Sequence, residues 1–433
     1  MNPLETLPIR LLFIPALVLC GLSVTSAQGK TAATLVIEPR TEYLADPIGI
    51  DSRAPRFSWA MEAGEAGMVQ RGYRIDIGTD SNDLRSGRQG LWRTEAASSS
   101  QLVVYAGPLL RPFTTYYWRV TLQDGAGRLH TSRVARFETG MMEASDWKGT
   151  WISDEGSVDL RPAPCFRKSF DVSKRVRSAR AYVACGGLFE LHVNGKRIGD
   201  HMLDPAYTRF DRRNLYVTLD ITDALRQGEN AVGFVLGNGW YNHQSTAVWF
   251  FDRAPWRNRP AFCADIRISY EDGSTEVVST GKDWKTKTGP IVFNSIYTAE
   301  HQDARLSLGR WSEAEYADTG WKKVLLRAAP SQRIVAQAMH PIRRVEEVVT
   351  TSVRRFSDTL YVFDIGRNIS GVSELRVRGR KGTVVRLTHG ERLRADGRVD
   401  LSNIIVHYRP KDDSDPFQTD VYTLSGEGEE VFS

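Results

Sequence analysis

The feature that most limits this chain is the shortness of its apolar segments. Nearly all of them alternate and stop at a turn. In Pro55-Arg56-Phe57-Ser58-Trp59-Ala60-Met61, the residues Phe57, Trp59 and Met61 fall on one face. Gly72-Tyr73-Arg74-Ile75-Asp76-Ile77-Gly78 repeats the pattern with Tyr73, Ile75 and Ile77. A period of two over seven residues predicts a half-buried strand, not a helix. Val193-Asn194-Gly195-Lys196, Asp124-Gly125 and Asp272-Gly273 supply turns. Helical spacing is confined to one or two turns near Ile221–Leu225, where Asp220 or Thr222 is placed to cap. The expected class is therefore all-β. At 433 residues the chain is long enough for about three units.

Each unit has its own pattern. Residues 31–140 contain short strands at regular spacing, as a β-sandwich does. Within them, the Leu-x-Pro-x-Thr-x-Tyr run at Leu110–Tyr116 resembles the fibronectin type III domain. That resemblance makes Tyr116 a corner tyrosine bonded to nearby backbone, and Trp59 the core indole. Residues 147–335 have the length and strand content of a jelly-roll sandwich, including a hairpin at Ala264–Tyr270 and Thr275–Ser279. A third β-unit, residues 342–433, runs to Glu430-Val431-Phe432-Ser433 without a closing turn and is expected to be incomplete. The joints between units are short, so the units are expected to pack together.

The first 27 residues read differently. Arg10 precedes the apolar run Leu11–Cys20, followed by small residues ending in Thr25-Ser26-Ala27. This is the pattern of a secretory signal peptide cleaved after Ala27, and it predicts a secreted or periplasmic protein. Lipidation at Cys20 is the weaker alternative, because the bulky Leu19 directly precedes it. No later stretch is apolar enough for a membrane span. Beyond Cys20 the cysteines are Cys165, Cys185 and Cys263, an odd set with no metal-ligand spacing, expected as buried thiols. The net charge of +5, from 57 basic and 52 acidic residues, comes without a basic cluster, so nucleic acid is not an expected partner.

Several chemistries lack their motifs. There is no glycine-rich phosphate loop before a helix, no His-Glu-x-x-His and no Gly-x-Ser-x-Gly. Glu300, Asp303 and Glu391 are the carboxylates that stand in compact polar-aromatic clusters. Paired carboxylates run glycoside hydrolysis, but ion pairing and turn bonding are the commoner uses of such residues. Sugar binding asks for a flat aromatic beside fixed amides or carboxylates. Asn238, Trp240, Tyr241, Asn242 and His243 offer this, with Trp249 and Trp256 nearby and Asp200 and Asp204 in a preceding loop. Core packing accounts for most aromatics in any such chain. The two loop aspartates are also candidate Ca²⁺ ligands.

The order of these motifs resembles bacterial α-L-rhamnosidases of glycoside hydrolase family 78. Pro55–Trp59 and Tyr73–Ile75 are similar to the family's leading fibronectin-like module. Val193–Gly195, Gly199-Asp200, Leu203–Pro205 and Leu236–Tyr241 are similar to its N-terminal β-sandwich, which Tyr297–Arg305, Trp311 and Asp318–Trp321 close. Asp364–Gly371 and His389–Leu393 are similar to its concanavalin-like domain. The resemblance implies a family that cleaves terminal α-L-rhamnose with inversion, using acidic residues on an (α/α)6 barrel beyond the last module. It therefore implies a non-catalytic N-terminal portion, with no catalytic residue to assign. It requires no cofactor, although some members bind rhamnose through the N-terminal sandwich with Ca²⁺. The implied partner is a rhamnose-containing glycan or glycoside, bound around Asp200, Asn238, Trp240 and Tyr241. The alternative is a free-standing carbohydrate-binding protein.

Overall fold

The computed structural model describes residues 35–63, 67–88, 90–409 and 415–433. The signal-peptide and Cys20 expectations lie outside these residues. Within them the protein is all-β, as its alternating segments dictate.

The first sandwich pairs a small sheet with a larger one. Leu35–Thr41, Arg56–Ala63 and Leu102–Val104 form the small sheet. Trp92–Ala96, Gln70–Gly78, Thr115–Asp124 and Leu129–Thr131 form the larger, with Ala135–Glu138 also paired to Thr115–Asp124. The expected faces point inward. Phe57, Trp59, Ile75 and Ile77 are buried with Trp118, Val120 and Phe137. The Tyr116 hydroxyl accepts the Arg111 N–H at 2.8 Å, so the corner forms as expected. One short helix, Ser81–Arg85, is absent from the sequence reading. Its signal was Asp80, which accepts the Asn82 N–H as a cap.

The second sandwich has two sheets of mixed sequence order. One runs through Lys196–Arg197, Leu188–Val193, Gly228–Gly237, Pro164–Val172, Lys285–Thr288 and Lys322–Lys323. The other centres on Val176–Gly186, flanked by Ala261–Tyr270 and Asn214–Asp220. Phe166, Val183, Leu191, Val217, Phe234, Phe262, Ile266 and Trp284 fill the space between them. The turn at Asn194 and Gly195 has φ of 48° and 84°. That left-handed pair suits the twist of a two-residue hairpin. Asn194 also fixes the turn's surroundings, bonding Ala224 O, Asn230 Oδ1 and the Ala231 N–H. Cys165, Cys185 and Cys263 are buried free thiols.

Strands of the third unit are shorter and more exposed. Thr419–Thr423 lies between Ala299–Asp303 and Val384–Thr388, so residues on either side of position 340 share a sheet. Tyr422, Leu424 and Phe432 form its small core. The units are pinned together. Tyr216 Oη donates to Gly49 O at 2.8 Å and accepts the Met141 N–H, while Arg180 pairs with Glu138.

Candidate functional site

The strand Gly228–Gly237 delivers the chain to a long loop, residues 238–260, before Ala261–Tyr270 begins. Trp240 sits near its start and gathers aromatic rings. His243 stacks on it at 5.2 Å, and Phe251 meets it edge-on at 5.3 Å. Tyr207 and Trp249 approach at 6.4 and 6.5 Å. Trp256 donates its indole N–H to Trp240 O. Tyr207, Trp249 and Phe250 are 48%, 46% and 55% exposed, so the cluster opens to solvent along one side. Phe250 reaches that side through a left-handed backbone, φ 55°.

The residues singled out beside Trp240 lie beneath this cluster. Asn238 is buried, with its amide nitrogen donating to Asn294 O at 2.9 Å and its side-chain oxygen accepting from Asn242 Nδ2 at 3.0 Å. Tyr241 is buried against Phe210, and its ring lies so close to Gly186 that a Cβ there would be 3.0 Å from it. A side chain at position 186 would therefore have to push the Tyr241 ring aside. Burial pushes the Tyr241 hydroxyl far above its usual range. Asn242 reaches across to Val158 O and Gln244 to Leu160 O, tying the loop to residues 154–162. Arg259 anchors that segment from below, bonding Asp154 through both carboxylate oxygens and Leu160 O and Pro162 O besides.

Asp200 lies elsewhere. Its exposed carboxylate pairs with Arg343 Nε at 2.8 Å, and that guanidinium holds it below the usual carboxylate range. Asp204 is buried, accepting from His201 Nδ1 at 2.7 Å and Gln337 Nε2 at 3.0 Å. A Ca²⁺ ion held by both aspartates would have to displace Arg343 and His201. Among the described residues, no group of three or more His, Cys, Asp or Glu is placed to hold a metal.

Two features of the loop escaped the sequence. His243 is buried with neither ring nitrogen bonded to protein, and burial lowers its pKa to about 4. A neutral ring against Trp240 is the consequence. Ser245 and Thr298 donate to the Asp415 carboxylate, Thr298 Oγ1 at 2.6 Å, and Ser245 also bonds Ser295. This hydroxyl cluster joins the second unit to the third. Nothing local in the sequence pairs residues 117 positions apart.

The three candidate carboxylates stand in different surroundings. Asp303 accepts the Arg305 N–H and pairs with its guanidinium, as a capping residue does. Glu391 is exposed. Glu300 is half-buried, and burial, helped by the Glu190 and Asp420 carboxylates, raises it to about 7.

Three family models match the chain in succession. They are the Rha78A-like N-terminal immunoglobulin domain at residues 36–143, the α-L-rhamnosidase N-terminal domain at 174–346, and the bacterial α-L-rhamnosidase concanavalin-like domain at 354–433. Together they mark the chain as a succession of α-L-rhamnosidase N-terminal domains. An α-L-rhamnosidase of Formosa agariphila is 30% identical over an alignment of 390 residues that covers 82% of this chain and 40% of that protein. One from Streptomyces avermitilis is 26% identical over an alignment of 576 residues, 93% of this chain and 54% of its own length. That alignment is longer than this chain, so the relative carries additional segments inside the matched region. The solved α-L-rhamnosidase of Dictyoglumus thermophilum superposes with a TM-score of 0.80 at 30% identity, covering 92% of this chain and 45% of that one. The chain thus spans about half the length of the rhamnosidases it matches. These are rhamnosidase N-terminal domains, in the order their motifs suggested.

Proposed function

We propose that this chain is the secreted, non-catalytic N-terminal portion of an α-L-rhamnosidase that acts on rhamnose-containing glycans or glycosides. The observation that supports it is the succession of three accessory-domain matches, at residues 36–143, 174–346 and 354–433, none of which is a barrel domain. The carboxylates favour it as well. An inverting glycosidase sets its two carboxyl groups about 6.5–9.5 Å apart across a water and the scissile bond. Asp303 is committed to Arg305, and Glu300 lies against Asp420 within the sheet. The chain should release no phenol from an aryl α-L-rhamnoside. Sustained turnover that disappears on mutating Glu300 or Glu391 would overturn this.

A second role is favoured by the partly open aromatic cluster around Trp240. Its exposed members, Tyr207 and Trp249, offer ring faces for a pyranose, and Trp240 supports them from behind. Titration with L-rhamnose, with and without Ca²⁺, tests it. Binding heat that is lost in Trp249→Ala, in a variant that keeps its melting temperature, is the expected result. No heat at millimolar sugar in either condition leaves the cluster a packing device.

A further inference from the structure

The outer face of the larger sheet in the first sandwich gathers charge of one sign. Along Gln70–Gly78, Ile75 and Ile77 turn into the core, so alternation sends Arg74 and Asp76 to the opposite face. Register sets Arg93 and Arg119 on either side of Asp76, from the strands Trp92–Ala96 and Thr115–Asp124. Three guanidinium groups therefore converge on one carboxylate. Arg93 Nε donates to Asp76 Oδ1 at 2.5 Å, and the Nε atoms of Arg74 and Arg119 stand 3.3 and 3.8 Å from Oδ2.

The charges do not balance. The Asp76 side chain is 2% exposed and that of Arg119 only 14%. The Nε atoms of Arg74 and Arg119 are buried without a hydrogen bond. Among the described residues, Asp76 is the only carboxylate within ion-pair reach of these three arginines. Glu95 lies opposite Arg74 on the edge strand, but it is exposed and forms no ion pair with it. The buried guanidinium of Arg259, by contrast, is matched by Asp154 and bonded to both its oxygens. Like charges side by side on a sheet destabilise it, and a guanidinium out of water without an acceptor costs free energy. Two positive charges are left for a ligand to neutralise, and unsatisfied donors at one place are where an ion belongs.

We propose that Arg74, Arg93 and Arg119 form a binding site for an oxyanion, the carboxylate or sulfate group of an acidic polysaccharide. Asp76 is a positioning residue that sets the three guanidinium groups from the floor of the site. A guanidinium forks onto an oxyanion through two parallel N–H bonds, and three of them carry more donors than one carboxylate accepts. Their places on three neighbouring strands hold them at fixed spacing. Tyr117, two residues before Arg119, shares the face by alternation and sets a ring beside the charge for the body of a sugar. The choice of an anion rests on the arginines, and the choice of a polysaccharide rests on the rhamnosidase reading above. A nucleic acid fits less well, because it asks for a basic track along many phosphates rather than one focus of charge.

The test titrates the chain at low salt with polygalacturonate, dextran sulfate, neutral dextran and duplex DNA. At least one of the two acidic polysaccharides should bind, and which one binds tells carboxylate from sulfate. Neutral dextran should not. Arg74→Gln and Arg119→Gln should each weaken binding about tenfold, as the loss of one charge-assisted hydrogen bond does. Arg88→Gln removes the same charge from an exposed pair with Asp83 in the same sandwich and should leave binding unchanged. Sodium sulfate should raise the melting temperature of the parent by more than it raises that of Arg119→Gln. In anion-free buffer Arg119→Gln should melt no lower than the parent, because it relieves a like-charge contact. Binding by neither acidic polysaccharide overturns the proposal. So does an equal loss in Arg88→Gln, or duplex DNA bound as tightly as the acidic glycan. A lower melting temperature in Arg119→Gln with binding unchanged makes the arginines structural and overturns it too. None of these results touches the non-catalytic reading, which only turnover by this chain alone removes.

Discussion

Asp154→Ala is expected to destabilise the second sandwich by roughly 3–5 kcal/mol, the usual effect of stranding one member of a buried ion pair. The Arg259 side chain has no exposed surface and that of Asp154 only 8%. Two charge-assisted bonds join them, Nε to Oδ1 at 2.9 Å and Nη2 to Oδ2 at 2.8 Å. Each such bond contributes about 1.5–3 kcal/mol. Deleting the carboxylate leaves a buried guanidinium with only the Leu160 and Pro162 carbonyls as acceptors. Those carbonyls belong to the segment that holds Asn242 and Gln244, so the Trp240 loop should loosen too. For a domain of this size about 1 kcal/mol moves the melting temperature by roughly 2–4 °C, so a fall of about 6–20 °C is expected by calorimetry. Urea titration followed by tryptophan fluorescence gives the free energy directly. The reasoning also requires that Asp154→Leu combined with Arg259→Met recover much of the loss, because an apolar pair replaces buried charges without stranding either. A folded Asp154→Ala protein within about 1 kcal/mol of the parent, or a double variant no better than the single, would refute it.

Tyr116→Phe removes the acceptor of the Arg111 N–H and should lower first-sandwich stability by about 1–3 kcal/mol in urea titration, without changing its fold. His243 should make stability pH-dependent. Its folded pKa, about 4, lies below the ordinary 6.5, so the unfolded chain binds the extra proton between those values. Stability should therefore rise from pH 4 to 6.5 and level off above, by at most about 3 kcal/mol. His243→Phe should flatten that part of the curve. Glu300 has the opposite sign. Its raised carboxyl takes up a proton on folding, so its contribution falls as pH climbs from 4.5 to about 7, and Glu300→Gln should stabilise the protein most above pH 7. Asn238→Ala strips the bonds to Asn294 and Asn242 and should lower the melting temperature while leaving the fluorescence of a well-packed Trp240 measurably changed.

The strands and their inward faces were legible because a period of two is a local property. Phe57, Trp59, Ile75 and Ile77 are buried where alternation placed them. The Tyr116 corner was legible through the resemblance of Leu110–Tyr116 to the fibronectin type III domain, and its partner lies only five residues away. Residues 238–243 were legible as an aromatic and amide cluster but not in their division of labour. Trp240 gathers the surrounding rings, whereas Asn238 is held by Asn294, 56 residues on, and Tyr241 turns under Gly186. Asp200 carries the same carboxylate as any candidate ligand, yet Arg343 occupies it.

The sequence by itself determined an all-β chain, its strand faces, its turns and, through the order of its motifs, its family. Only the tertiary structure decided which polar groups are already satisfied and which apolar faces remain open. Side-chain direction along a strand follows from neighbouring backbone geometry, and the sequence carries that directly. The partner of a buried amide such as Asn238 comes from chain far away, and only folding brings it there.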